Sequence, residues 1–391
     1  MNIPKLRFPE FKGEWEEKKF SEIVYLENER DVCKKSDYIT TENLNKDYAG
    51  VTFNTNSNEN VPGIKYLKDD ILFGNIRPYL KKVWQADRNG CVNSDVLVFK
   101  IIKDNSKFIN NIICSDLFLS HVMNGAKGTK MPRGDKNQMM DFIAKIPSLP
   151  EQQKIADFLS NVDSIITAET KILNTLQKKK KALMQKLFTR QLRFKSADGT
   201  DFPAWEESTL EKECDYVDYR GKTPKKVSTG IFLVTAKNIK LGYIDYECSK
   251  EYIAENDYNE VMHRGKVKLG DVLITTEAPC GNVAQIDNEN VALAQRVIKY
   301  SSKGRLNNTF LKYYFLSDLF RTIINEKATG STVKGIKGSV LHKQKVIVPS
   351  LAEQQKIADC LSSLDSLIQI QQKVVTTWQQ RKKALLQQMF V

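Results

Sequence analysis

Apolar side chains recur at alternating three- and four-residue steps in two stretches of the chain. The first runs through Ile155, Leu159, Val162, Ile166, Leu173, Leu176, Leu183 and Leu187. The second runs through Ile357, Leu361, Leu364, Ile368, Val375, Trp378, Leu385 and Met389. Polar residues interrupt both at matching places, Glu169 and Lys180 in the first and Gln371 and Lys382 in the second. Steps of three and four keep one side of a helix apolar, and over about five heptads they predict a coiled-coil seam. Elsewhere short β-rich apolar runs predict strands. Residues 69–101 (DDILFGNIRPYLKKVWQADRNGCVNSDVLVFKI) contain several, with Asn89-Gly90 as a hairpin or turn signal, and residues 270–300 occupy the equivalent place later on. A helical segment follows each, over 108–125 and 310–327.

The two seams belong to a duplication. IPSLPEQQKIADFLSNVDSII, from Ile146 to Ile166, returns 202 residues on as VPSLAEQQKIADCLSSLDSLI, with 15 of 21 positions identical. The aromatic and acidic stretches around Trp15 and Trp205 also resemble each other. Two copies of one unit can be related by a pseudo-twofold axis, and helices that pair across such an axis run antiparallel. About 34 residues at 1.5 Å each would make a rod of roughly 50 Å. The expected fold is therefore α+β: two pseudo-twofold-related strand-rich lobes, 1–150 and 196–350, separated by a long antiparallel two-helix coiled coil built from 151–195 and 351–391.

Charge narrows the partners. The formal net charge is +13 and the pI about 9.2, which favours polyanions. A two-lobed basic protein also suits a duplex that is itself pseudo-twofold. The excess concentrates in 151–195, where Gln177 to Lys195 carries no acid. Cations there complement a helix C-terminus and keep an exposed face soluble, so that run alone does not indicate a ligand. No apolar run is long enough to span a bilayer, and MNIPKLRFPEFKG lacks the core of a signal peptide. The seven cysteines include no Cys-x-x-Cys pair. These features point to a cytoplasmic protein with reduced thiols and no membrane partner.

Catalytic signatures fail one by one. Asn75-Ile76-Arg77-Pro78-Tyr79 superficially resembles the Asn/Asp-Pro-Pro-aromatic motif of amino-methyltransferases, but Arg77 stands where the first proline belongs and no glycine-rich cofactor loop accompanies it. Gly330 to Ile336 has phosphate-loop glycine spacing, yet Ile336 replaces the lysine. Glu16-Glu17-Lys18 has a nuclease-like spacing that is common by chance in charged sequence. Three histidines and scattered cysteines make no metal cluster. No catalytic residue and no metal ligand is assigned.

Nucleic-acid chemistry is better represented. Residues 73–82 combine Asn75, Arg77, Tyr79, Lys81 and Lys82. Arg and Lys can bond guanine O6 and N7 or hold phosphates, and Asn can pair with adenine. Flanking positions match between the copies (Asp70/Asp271, Leu72/Leu273, Asp87/Asp287) while the segments between them differ, as two lobes reading different sequences would require. The second copy offers Tyr219, Arg220, Lys222, Thr223 and Lys225, with Lys237 and Asn238 nearby. Basic, glycine-containing loops precede both long helices and carry Lys127, Lys130 and Arg133 in one copy and Lys334 and Lys337 in the other. Such loops bring cations and backbone N–H groups to phosphates and set register without reading sequence.

Two strand-rich lobes, each followed by a helix that opens with Pro-x-Leu-x-Glu-Gln-Gln-Lys-Ile, resemble the specificity subunit of type I restriction–modification systems over essentially the whole chain. The phrases that carry this are IPSLPEQQKIADFL, VPSLAEQQKIADCL, LFGNIRPYLKK, and RGKTPKK followed by AKNIKLGYID. The second copy has Ala352 where the first has Pro150. The resemblance implies that each lobe is a target recognition domain reading half of a bipartite double-stranded DNA site. It implies that the helices set the gap between half-sites and dock two methyltransferase subunits. Those partners would bring S-adenosylmethionine and methylate adenine at N6. Endonuclease/translocase subunits, using ATP and Mg, would add restriction, and this chain would bind no cofactor itself. The alternatives are a stand-alone DNA-binding repressor or architectural protein, and a coiled-coil scaffold with basic lobes.

Overall fold

A computed structural model describes residues 3–54, 57, 59–219 and 223–390. The chain packs as two units, one made of 1–171 with 372–391 and the other of 172–371. Each unit is α+β, and each takes part of both long helices.

In the first unit the opening strand Glu16–Lys19 pairs antiparallel with the last strand, Ile143–Ile146, closing the lobe just before the helix. A four-stranded sheet runs in the order Val24–Leu26, Val96–Ile101, Ile71–Gly74, Val83–Gln85. The second unit repeats this with Glu206–Thr209 on Lys345–Val348 and the order Cys214–Asp218, Val297–Ser302, Val272–Thr275, Val283–Gln285. The central strands are buried on both faces, which is why they read as continuous apolar runs. A further sheet differs. It has four strands in the first unit (Arg30–Lys34, Asn60–Tyr66, Gly90–Val92, Tyr38–Ile39) and three in the second (Tyr252–Ile253, Ile231–Val234, Val291–Leu293). Asn89-Gly90 is thus a turn between strands of two different sheets and not a hairpin.

The segments 108–125 and 310–327 are each two helices: Ser106–Ile113 and Asp116–Asn124, then Asn308–Leu316 and Asp318–Lys327. The break falls at Ser115 and Ser317. Each hydroxyl accepts from the N–H three residues on, Phe118 or Phe320, and so starts a new helix.

The long helices are Leu149–Phe188 and Leu351–Met389. In the first unit, Ile155 and Leu159 share a core with Leu385, Met389 and Phe390, so the head of one helix lies on the tail of the other. In the second unit Leu183, Leu187 and Phe188 meet Ile357 and Leu361 in the same antiparallel sense. All twenty seam positions are buried or half-buried, including Val162, Ile166, Leu173, Leu176, Leu364, Ile368, Val375 and Trp378. The lysines that interrupt the seam are paired across it, Lys382 with Asp163 at 2.6 Å and Lys180 with Asp365 at 2.5 Å.

The repeated Glu-Gln-Gln phrase joins each lobe to its helix. Glu151 is 2% exposed and accepts from Arg7 at 2.7 Å and from the Trp15 indole at 3.2 Å. Glu353 is 0% exposed and accepts from Arg193 at 2.7 Å and Trp205 at 2.8 Å. Gln152 and Gln354 each accept from a backbone N–H, of Asn105 or Asn307, and donate to the carbonyl of Pro147 or Pro349. A buried carboxylate needs such partners to offset its lost hydration, which explains why the phrase and both tryptophans recur together.

Candidate nucleic-acid interface

Strand Ile71–Gly74 leads into a tight turn. Gly74 N–H donates to Lys82 O at 2.8 Å and Asn75 N–H to Asp95 O at 2.9 Å. Arg77 sits at its corner in the left-handed region, φ 54°, ahead of the short 3₁₀ turn Pro78–Leu80, and Lys81 leaves it at φ 55°. A non-glycine residue there costs about 1–2 kcal/mol, so the surroundings must enforce it. Part of that enforcement is the bond from Arg77 N–H to Pro132 O at 2.7 Å. It comes from a neighbouring hairpin in which Lys127 and Arg133 exchange backbone bonds of 2.8 and 2.9 Å. The fold therefore brings together Asn75, Arg77, Lys127, Lys130 and Arg133, which come from two separate loops of the sequence.

The second unit builds the same frame. Thr275 N–H donates to Asn282 O and Thr276 N–H to Arg296 O, both at 2.9 Å. Ala278 takes the corner at φ 50°, and the hairpin Thr329–Gly335 lies beside it. Thr276, Glu277, Gln295, Arg296 and Lys337 line a cleft of about 470 Å³. Gln295 reaches Thr223 at 3.0 Å, which attaches the loop carrying Thr223 and Lys225 to this face.

The cations divide into two groups. Lys81 pairs with Asp116 at 3.3 Å, Lys127 with Asp135 at 2.6 Å and Arg133 with Asp95 at 2.9 Å, so these brace the loops. The Asp135 hydrogen bond holds the Lys127 ammonium above the usual lysine range. Lys82 turns inward to Thr41 O, and burial, then the charge of Lys46, pulls it below that range. Among the described residues, no acid lies in ion-pair range of Arg77, Lys130, Lys225, Lys237, Lys334 or Lys337. All but the half-buried Arg77 are exposed, as is Tyr79. Asn75 Oδ1 and Arg77 Nε are buried without a hydrogen-bond partner.

Two expected contacts are corrected. Asn238 is 0% exposed. Its Oδ1 accepts from Thr235 N–H and Oγ1, and its Nδ2 donates to Asp245 O and Ser249 O, so it holds a turn closed and has nothing to offer a ligand. Tyr219 is buried, and its hydroxyl donates to Gly265 O at 2.6 Å. Arg220 and Lys222 lie outside the described residues. The turn at Asn238 has a counterpart that sequence reasoning missed. Thr40 N–H and Oγ1 donate to Asn43 Oδ1 in the same way, and the repeated Thr-x-x-Asn at 40–43 and 235–238 was the available signal. Glu277, Gln295 and Arg296 were also missed, because isolated polar residues carry no periodic mark.

Two lobes that share one turn and one helix-entry clamp, with exposed cations on the hairpin beside that turn, define a two-module protein. Comparison with known proteins is specific. The profile of the type I restriction modification DNA specificity domain matches residues 12–178 and again 204–376, and the chain belongs to that family as a specificity subunit. The type I restriction enzyme MjaVIII specificity subunit of Methanocaldococcus jannaschii is 28% identical over 298 residues, covering 71% of this chain and 69% of its own. The S subunit of a type I restriction–modification system from M. genitalium has the same fold, with a TM-score of 0.59 at 14% identity over 100% of this chain and 99% of that one. A chain from a structural study of type I complex assembly and conformational transition gives 0.56 at 16% identity, covering 95% and 96%. These matches do not favour a stand-alone repressor. Among the described residues no helix is long and apolar enough to cross a membrane.

Proposed function

We propose that this chain reads a bipartite double-stranded DNA target, one half-site per lobe, in the cytoplasm, and performs no chemistry itself. Two methyltransferase subunits dock on it and supply S-adenosylmethionine for adenine-N6 methylation. Endonuclease/translocase subunits add ATP- and Mg-dependent restriction. The observation that carries this reading is the single backbone turn, present in both lobes with different side chains at its corner. A common frame lets each lobe approach a groove in the same way, and the unlike side chains supply different base preferences. Lys130, Lys225, Lys237, Lys334 and Lys337 are exposed, with no acid in ion-pair range among the described residues, and they supply the sequence-independent attraction to phosphates.

Purified chain with S-adenosylmethionine and diverse DNA is expected to transfer no methyl groups. Adding the methyltransferase partner should yield N6-methyladenine at one bipartite site, and methylation by the chain alone would overturn the proposal. In the same reading, helix length sets the gap between half-sites. Seven residues added after both Gln177 and Gln379 keep the seam in phase and add about 10 Å to the helices. That corresponds to roughly three base pairs, less if the lobes must also follow the DNA twist. An active extended protein that keeps the original gap would reduce the helices to a docking platform.

A further inference from the structure

The shared turn is one frame filled with opposite chemistry. In both units the residue after the first turn residue bridges to the neighbouring hairpin, Ile76 to Arg133 and Glu277 to Gly335. In both, the next residue takes the left-handed corner before a proline, Arg77 or Ala278. Where the first unit places apolar Ile76 and cationic Arg77, the second places anionic Glu277 and a bare methyl. The ion pair at the strand start is inverted as well. Asp95 binds Arg133 at 2.9 Å in one unit, and Arg296 holds Glu277 at 3.6 Å in the other. Asp95 and Arg296 occupy the same place, each accepting the backbone bond from the turn.

We propose that this frame is the specificity-determining element of each lobe. Arg77 selects a guanine in one half-site, and Glu277 selects, in the other, a base that presents an amino group in the major groove. The inference rests on the proposed function and deepens it. A guanidinium bonds guanine O6 and N7 with two parallel donors, and a carboxylate accepts from cytosine N4 or adenine N6. The Arg77 side chain has no acid partner among the described residues and is half-enclosed, with Nε buried, so it reaches a ligand from a fixed stem. The Glu277 side chain is 43% exposed, is steadied by Arg296, and faces the cleft with Gln295 and Lys337. The cation beside Glu277 therefore orients the carboxylate and leaves acceptor capacity free.

The test uses the full chain with its methyltransferase partner, mapping methylated adenines by single-molecule sequencing. Arg77→Gln should shift one position of one half-site from guanine toward adenine and leave the other half-site intact. Glu277→Gln should relax one position of the other half-site, and the wild-type base there tells cytosine from adenine. Replacing the guanine by 7-deazaguanine should weaken duplex binding by wild type on the order of 5- to 150-fold and leave Arg77→Ala unaffected. Alanine is what the same corner carries in the second unit, so Arg77→Ala preserves the frame should Arg77→Gln misfold. Variants that keep the wild-type preferences, change both half-sites, or weaken all sequences alike overturn the inference while wild type still methylates its bipartite site. Failure of wild type with its partner to methylate any bipartite site would instead remove the proposed function.

Discussion

Glu151 and Glu353 hold equivalent places in two helices and make the same bonds to an arginine and a tryptophan. Arg77 and Ala278 hold equivalent places in two turns and share little beyond a dihedral angle. The contrast separates two kinds of selection within one duplicated chain. A buried carboxylate tolerates no change of partner, so the helix start stayed the same in both copies. The turn corner is held by backbone bonds, which any side chain compatible with that dihedral can share, so its chemistry was free to diverge.

The helix start gives the largest expected effect. Glu353→Ala removes the carboxylate that Arg193 and the Trp205 N–H share, leaving Arg193 only the Phe202 and Pro203 carbonyls, and urea unfolding should register a loss of about 3–5 kcal/mol. Glu151→Ala should cost a similar amount. A difference of several kcal/mol between them would break the equivalence of the two clamps.

A smaller loss is expected at the Thr-x-x-Asn turns. Asn238→Ala strands the donors of Thr235 and should lower stability by about 1–3 kcal/mol, whereas Lys237→Ala, at an exposed side chain, should leave thermal unfolding unchanged. Equal effects at the two sites would return Asn238 to the list of candidate ligand contacts.

Across the helix seam, a double-mutant cycle on Asp163 and Lys382 should give a coupling of about 0.5–1 kcal/mol, and the cycle on Asp365 and Lys180 should match it. Couplings of opposite sign would mean that the two seams are not equivalent.

Smallest of all is Lys334→Ala. Titration with duplexes of unrelated sequence should show weaker binding to each by the same factor, with the salt slope reduced by about one. Loss confined to one sequence would make Lys334 a base-reading residue and blur the distinction between reading turn and phosphate-holding loop.

What the sequence disclosed follows the same physical division. The seams were legible because periodic burial leaves a periodic pattern, and the Lys180 and Lys382 interruptions mark the cross-seam ion pairs. The helix breaks at Ser115 and Ser317 were not foreseen, because a serine inside an apolar helical run gives no outward sign that its hydroxyl will cap a new helix. Lys-Asn-Ile-Lys at 237–240 reads as a basic surface patch, and only the turn shows where the Asn238 amide bonds go. Residues 73–82 stand out as a candidate site by their composition. The partnership of that turn with 127–133, and the reversed charges at Glu277 and Arg296, depend on contacts between distant segments that no local pattern encodes.

Phe390 packs against Trp15 and Phe108, with ring centroids 6.4 and 5.4 Å away, and Met389 lies in the same core. A ribosome makes those residues only after the whole second lobe. The amino-terminal lobe therefore waits through synthesis of the second one with part of its interior missing, and closes only once Met389 and Phe390 have been made. Chains stalled between the second lobe and Met389 would leave the first-made lobe, and not the second, open to proteases.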